Sequence, residues 1–413
     1  MTRAALLAIA SLGALMPSAH AVDWKINSSL TETAELNDNR RLLFNPTGES
    51  YNTISRLLLD ATALTATSSL ILHSALTYRT FDGPGEVGEL PTFDKAFSGT
   101  YNKTDMLSTY NATASYREND LATTQLAETG IAASNGTIVN ETVGGGFKRE
   151  LTPRDTLAWQ TTYSATQTTP ANNGTATAPS PSSSFSSLTN ILDLKHRLNP
   201  NTTLKPSVQL QQLDYDNAAQ TKVMFWQAKM GMAAELTKNL SFDGALGGVL
   251  ANTTDNGRGG TVAGLGVSNV SGLQTGTTTD WVGNLLLTYK LTRAMSITLN
   301  AAQSVAPSSQ GEFLKNDTVG LSANYKINEA SSFTLSGAFT HQLSTLAPAD
   351  LISASAVYSA RLSREWSTQL TYRYMERMTE TTITPTSAFS VASNSARSNA
   401  FLVSLTKDVT ILP

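Results

Sequence analysis

The sequence predicts an all-β fold: a transmembrane, antiparallel up-and-down β-barrel of about 18 strands (16–18). Three observations lead there. Apolar and polar residues alternate with a period of two. Short and long connections also alternate along the chain. Aromatic residues gather near both ends of the alternating runs.

The alternation is clear in several places. Trp24, Ile26, Leu30, Ala34 and Leu36 interleave with Lys25, Asn27, Ser29, Thr31, Thr33 and Glu35. Leu285, Leu287 and Tyr289 share a parity opposite to Asn284, Thr288 and Lys290. Val319, Leu321, Ala323, Tyr325 and Ile327 alternate with Gly320, Ser322, Asn324 and Lys326, and 352–362 repeats the pattern. A period of two places successive side chains on opposite faces of a strand. Runs of about 10 residues suit a tilted strand that crosses a bilayer. The expected strands are 24–36, 50–63, 67–81, 94–103, 105–117, 136–149, 155–167, 186–197, 202–214, 221–235, 240–252, 276–291, 294–304, 316–327, 331–343, 349–362, 366–376 and 396–410. A slip in register, of the kind a bulge causes, is expected near Leu213 to Tyr215.

Tight turns are expected at 150–155, 198–202, 236–239, 291–294, 327–331 and 362–365. Polar stretches at 81–92, 118–135, 167–186, 252–275, 306–317 and 376–394 read as long loops. That sorting matches the periplasmic and extracellular ends of outer-membrane barrels. The low-complexity run 168–187 reads as a mobile outside loop.

The first 21 residues read as a cleavable signal peptide: Arg3, an apolar run over 4–16, and the A-x-A site Ala19-His20-Ala21. Residues 22–413 then form one barrel domain with no separate plug. Export places the chain in the outer membrane of a Gram-negative cell.

Composition narrows the function classes. Cysteine is absent, which excludes disulfides, thiolate metal sites and a cysteine nucleophile. Net charge is −3 and no long charge run occurs, which argues against nucleic acid as a partner. Beyond the leader the histidines are His73, His196 and His341, too scattered to outline a metal or catalytic centre. No G-x-S-x-G motif is present, and the glycine pairs precede no helix or Lys-Ser/Thr element. Hence no enzyme, cofactor, metal or catalytic residue is expected. Gly144 to Gly146 reads instead as a place where strands approach closely.

Outward parity at the turn-proximal ends holds Trp24, Phe147, Trp159, Phe242, Tyr289, Tyr325, Phe333, Tyr358 and Trp366. At the other ends it holds Tyr78, Tyr116, Tyr163, Phe339, Tyr372 and Tyr374. Such girdles sit at the two membrane interfaces, where a ring meets both hydrocarbon and water. Glu141 is the misfit on that face.

Inward parity is rich in Ser, Thr, Asn and Gln. Its basic residues are Lys25, Arg56, Arg79, Arg117, Lys148, Lys195, Arg197, Lys229, Lys290, Lys326, Arg361 and Arg373. Its acids are Glu35, Asp60, Asp193, Asp243 and Asp280. Arg56, Arg79, Arg117, Lys148, Lys229, Lys290, Lys326, Arg361 and Arg373 are the candidate lumen-lining cations. A barrel this wide holds water unless a loop folds in. The cation excess then predicts a pore that favours anions. Equally, Lys148, Lys195, Lys290, Lys326 and Arg361 lie one to three residues from a turn and would only solvate the rim.

Two stretches carry a family resemblance. SLTETAELNDN over 29–39, followed by NPTGES over 45–50, is similar to the first strand and loop of the exopolysaccharide-associated outer-membrane β-barrel family found with PEP-CTERM sorting systems. VGGGFKRELTPRD over 143–155 resembles that family's mid-barrel strand and turn. The resemblance spans most of the chain after the leader. It implies a porin-like surface channel or an export role linked to exopolysaccharide, and no catalytic residues. The chain departs from the usual barrel pattern at its end, Thr410-Ile411-Leu412-Pro413, where an aromatic residue is customary.

The expected partners are outer-membrane lipid, the barrel-assembly machinery, and polysaccharide or small anionic solutes. The alternative function is a non-conducting scaffold or a surface-binding adhesin barrel.

Overall fold

A computed structural model describes residues 22–46, 48–84, 91–129, 136–170, 184–216, 222–254, 276–307, 313–343, 349–379 and 395–412. The expected leader lies outside these residues, as does the centre of the low-complexity run.

Eighteen strands form one closed antiparallel sheet. In chain order they are β1 Asp23–Asn37, β2 Ser50–Leu64, β3 Ser68–Asp82, β4 Thr92–Thr104, β5 Ser108–Asp120, β6 Gly136–Glu150, β7 Asp155–Pro170, β8 Phe185–Asn199 and β9 Thr202–Tyr215. Then come β10 Lys222–Glu235, β11 Leu240–Thr254, β12 Gly276–Lys290, β13 Met295–Pro307, β14 Phe313–Lys326, β15 Ser331–Leu343, β16 Ala349–Arg361, β17 Trp366–Thr379 and β18 Ser395–Leu412. Each pairs with its neighbours in sequence, and β1 pairs with both β2 and β18. Closure leaves no edge strand, because every strand pairs with two neighbours.

The chain ends meet along β1 and β18, from Asn27 opposite Thr410 to Asn37 opposite Ala400. Hydroxyl pairs stitch this seam on its inner face: Thr31 Oγ1 lies 2.8 Å from Thr406 Oγ1, and Thr33 Oγ1 lies 2.8 Å from Ser404 Oγ.

The short turns share a device. The hydroxyls of Thr65, Thr152, Thr237, Thr292 and Ser363 each accept from the backbone N–H three residues on, at 2.9–3.1 Å. A Ser or Thr at that position satisfies the turn's amide locally and fixes where the strand reverses.

Outward residues follow the expected parity. Trp24, Trp159, Tyr289, Tyr325, Phe333 and Trp366 are exposed on the wall toward the short-turn end. Tyr78, Tyr163, Phe339 and Tyr372 are exposed toward the long-loop end, joined by Tyr51, Phe93, Trp226 and Trp281. Glu141 does face outward, opposite Tyr116. Nearby on that face, Lys95 Nζ donates to Glu118 Oε1 at 2.9 Å and Tyr116 donates to Glu118 Oε2 at 2.7 Å. A Cβ on Gly146 would collide with the carbonyl of Trp159, so the glycine run does permit close strand approach.

Two expectations need correction. The stretch 118–135 is not wholly loop: β5 runs to Asp120 and a helix, α1, spans Leu121–Thr129. No register slip occurs at Leu213 to Tyr215, because Leu213 opposes Val223 and Tyr215 opposes Phe185 in unbroken ladders. These residues break the polar-inward pattern for another reason: they belong to a buried apolar cluster on the inner wall. The irregularities fall instead at Ile26/Asn27 and Arg197/Asn199.

Candidate functional site

The interior holds a cavity of about 870 Å³ against β1–β6, β17 and β18. Arg56 of β2, Arg79 of β3 and Arg117 of β5 line it, together with Asp94, His73 and Asn140. The pleat explains the grouping, since all six have inward parity on neighbouring strands.

The three arginines are not equivalent. Arg79 is paired with Asp94. Asp94 also accepts from the backbone N–H of Asp120 through its other oxygen, at 2.9 Å. Asp120 in turn caps α1: its Oδ2 accepts from the Thr123 N–H at 2.8 Å and from the Thr123 hydroxyl at 2.6 Å. One carboxylate thus neutralises Arg79 and fixes the start of the helix. Arg56 and Arg117 form no ion pair among the described residues.

The far end of α1 is held on the opposite wall. Gln342 of β15 donates to the Glu128 carbonyl at 2.7 Å and to Asn316 Oδ1 at 3.1 Å. In an 18-strand ring, β15 is nine strands from β6 in either direction. The helix therefore bridges the lumen. Leu121, Ala122 and Gln125 are buried along it.

A second inward structure sits near β9–β12. Leu213, Tyr215, Val223, Phe225, Val249, Ala251 and Val282 form the apolar cluster, and Val305 of β13 packs on it. The parities are informative. Ladder pairing puts Gln303, Val305 and Lys315 on the outward face of the β13–β14 hairpin. Their partners Asp280 and Val282 lie on the inward face of β12. Outward and inward faces can touch only if the adjoining ends of β13 and β14 are tucked inside the wall, over β11 and β12. Lys315 Nζ donates to Asp280 Oδ2 at 2.5 Å, and Gln303 donates to Asp280 Oδ1 at 3.3 Å, which pins them there.

The nine candidate cations divide by position. Arg56, Arg79 and Arg117 come together in the large cavity. Lys229 lines a smaller inner cavity on the far side. Arg373 is bound to Glu35 at the seam, 3.1 Å away. Lys290, Lys326 and Arg361 are the last residues of their strands and Lys148 is two from the end of β6, so these four sit at the short-turn rim, apart from the arginines.

The strand pattern did not identify Asp94, Lys205 or Arg377 as inward, although parity alone would have placed them. Lys205 is neutralised by Asp243 at 2.6 Å. Arg377 is buried beneath the Phe44 ring, 5.3 Å from its centroid. Each of the three described histidines meets an aspartate through Nδ1. His73 pairs with Asp60, His196 with Asp155 at 2.6 Å and His341 with Asp350 at 2.7 Å. Only His73 faces the cavity.

No protein-family model and no curated protein matches the chain. Solved structures do. The chain is similar to the copper transporter OprC at 11% identity, covering 95% of this chain and 82% of that one, with a TM-score of 0.50. It is similar to a mutant of the ferric enterobactin receptor PfeA of Pseudomonas aeruginosa at 9% identity, covering 93% and 80%, with a TM-score of 0.51. It is also similar to OccK2 (OpdF) of Pseudomonas aeruginosa at 8% identity, covering 95% and 99%, with a TM-score of 0.50. At these identities the likeness is one of architecture, and the architecture is that of outer-membrane β-barrels.

Proposed function

We propose that this chain is an outer-membrane channel that passes polar solutes and favours anions. One observation carries the reading: Arg56 and Arg117 face an interior cavity of about 870 Å³ with no acid partner among the described residues. Inside a low-dielectric wall, unpaired guanidinium charge raises the local concentration of anions and repels cations. The paired Arg79 contributes mainly to the placement of α1. The helix narrows the lumen and limits the size of what passes. An acidic polysaccharide chain, threaded in extended form, is the larger candidate cargo. Its support is the resemblance to exopolysaccharide-associated barrels.

A second reading is favoured by α1 and the tucked hairpin, which both occupy lumen space: a barrel that scaffolds or binds at the surface and does not conduct. Planar-bilayer recordings separate the two. In a salt gradient the wild-type protein is expected to give discrete steps with a reversal potential on the anion side. The double variant Arg56→Gln/Arg117→Gln is expected to move that potential about half way to zero, because it removes two unpaired cations while Lys229, the rim cations and the Arg79–Asp94 pair remain. Cation preference would overturn the anion reading. Absence of any steps would favour the scaffold.

A further inference from the structure

The wall opens between β12 and β13. Their ladder runs only from Lys290 opposite Ser296 to Gly283 opposite Gln303. Beyond it, β12 stays paired with β11 as far as Gly276, and β13 stays paired with β14 as far as Pro307. Two continuous strands therefore part company, and the tucked hairpin is the reason.

A cavity lies on each side of the parting. The inner one, about 230 Å³, is lined by Phe225, Val249, Val282 and Val305 together with Lys229 and three glutamines of β9 and β10. The outer one, about 750 Å³, is a groove on the outward face lined by Met230, Leu246, Trp281, Val319 and Phe339. Gly283, Asn284, Ala302 and Gln303 line both. These four are the last rungs of the β12–β13 ladder, so the two cavities meet the wall where the parting begins.

The neck is polar and latched. Asp280 and Lys315 meet across it at 2.5 Å, with side chains only 13% and 15% exposed. Gln303 is 4% exposed, and its Oε1 is buried with no hydrogen-bond partner among the described residues. A buried acceptor left unpaired is destabilising. A group that brings a hydrogen-bond donor into the neck would remove that cost.

We propose that this parting is a lateral passage for a single-chain anionic amphiphile of the fatty-acid class. Its chain lies in the outer groove and enters between β12 and β13 to reach the inner patch. Its carboxyl group, in the protonated form, donates to Gln303 in transit, then gives its proton to water in the lumen and ends as a carboxylate beside Lys229. The Asp280–Lys315 pair closes the neck between passages. The proposal rests on the chain being a membrane-spanning barrel. It does not depend on the pore's ion selectivity.

The test uses the full-length protein in proteoliposomes with a diazirine-bearing long-chain fatty acid. After photolysis, adducts are mapped by mass spectrometry. Adducts are expected on the outward residues Trp281 and Phe339 and also on the inward residues Phe225 and Val249. Gln303→Trp, which fills the neck, is expected to lower the inward adducts about tenfold and leave the outward ones unchanged. Ala302→Phe blocks the same neck from the inner side and serves if the first variant does not assemble. Inward adducts that persist in both variants would mean entry through the aqueous mouth and would overturn the passage. Adducts confined to outward residues would overturn it too, as ordinary annular lipid. If the lipid-facing Leu321 and Leu335 were also unlabelled, the membrane-barrel reading itself would fail.

Discussion

Replacing residues 121–129 with a Gly/Ser segment of equal length is expected to raise single-channel conductance about threefold or more. The reasoning is geometric. A wall of 16–18 strands leaves an aqueous channel when nothing folds into it. A helix with its side chains is about 10–12 Å across, and α1 crosses from β5 to Gln342 on β15. Glycine disfavours helix by about 1 kcal/mol per residue relative to alanine, so the replacement would not re-form the bridge. The flexible segment still occupies volume, which keeps the expected gain below that of an empty channel. Gln342→Ala removes only the far tether. It is expected to give a smaller rise with noisier open-channel current, because the Asp120 cap still holds the near end. Unchanged conductance in the Gly/Ser variant would show that the helix does not limit the path.

Leu321→Arg is expected to destabilise the folded barrel by about 2–4 kcal/mol, whereas Ser322→Arg next to it is expected to cost little. Leu321 is 53% exposed on the outward face midway along β14, in one row with Leu299 and Gly337. A guanidinium there meets hydrocarbon. Ser322 lies in the inward row with Thr298 and Ser336, where water solvates a new charge. Denaturant titration of refolding into vesicles, read by heat-modifiable gel mobility, measures the difference. The order of the two variants decides it: a larger loss for Ser322→Arg would invert the assignment of faces.

Most of the wall was legible in the sequence because a strand's two-residue period is local. Each strand can be read without knowing its neighbours, and the Ser/Thr turn device marks where it reverses. The predicted 276–291 against the observed Gly276–Lys290 is typical of the agreement. What escaped depends on distant contacts. The helix α1 is too short to stand alone, and it exists because Asp94 and Gln342, on separate walls, hold its two ends. The apolar inner cluster was misread as a register slip because an inward face was taken to be wet throughout. The β13–β14 tuck does leave a mark, polar Gln303, Lys315 and Asp317 at outward parity, but that mark gains meaning only once Asp280 is seen to lie against two of them. The site was half legible for the same reason. Parity placed Arg56, Arg79 and Arg117 inside, but only the fold reveals that Asp94 cancels one of them.

The seam has a consequence for how the molecule forms. Hairpins join residues close in sequence, whereas Thr31 and Thr406 are 375 positions apart. Bringing such distant ends together costs about 5 kcal/mol of chain entropy. Single cross-strand pairs return about 0.2–1 kcal/mol each, so a few of them cannot hold a circle shut. Zippering of the first strand to the last is therefore all-or-none. A sheet that stops short of that final step remains an open ribbon with two bare margins, and such a ribbon is the species most prone to stick to its own kind.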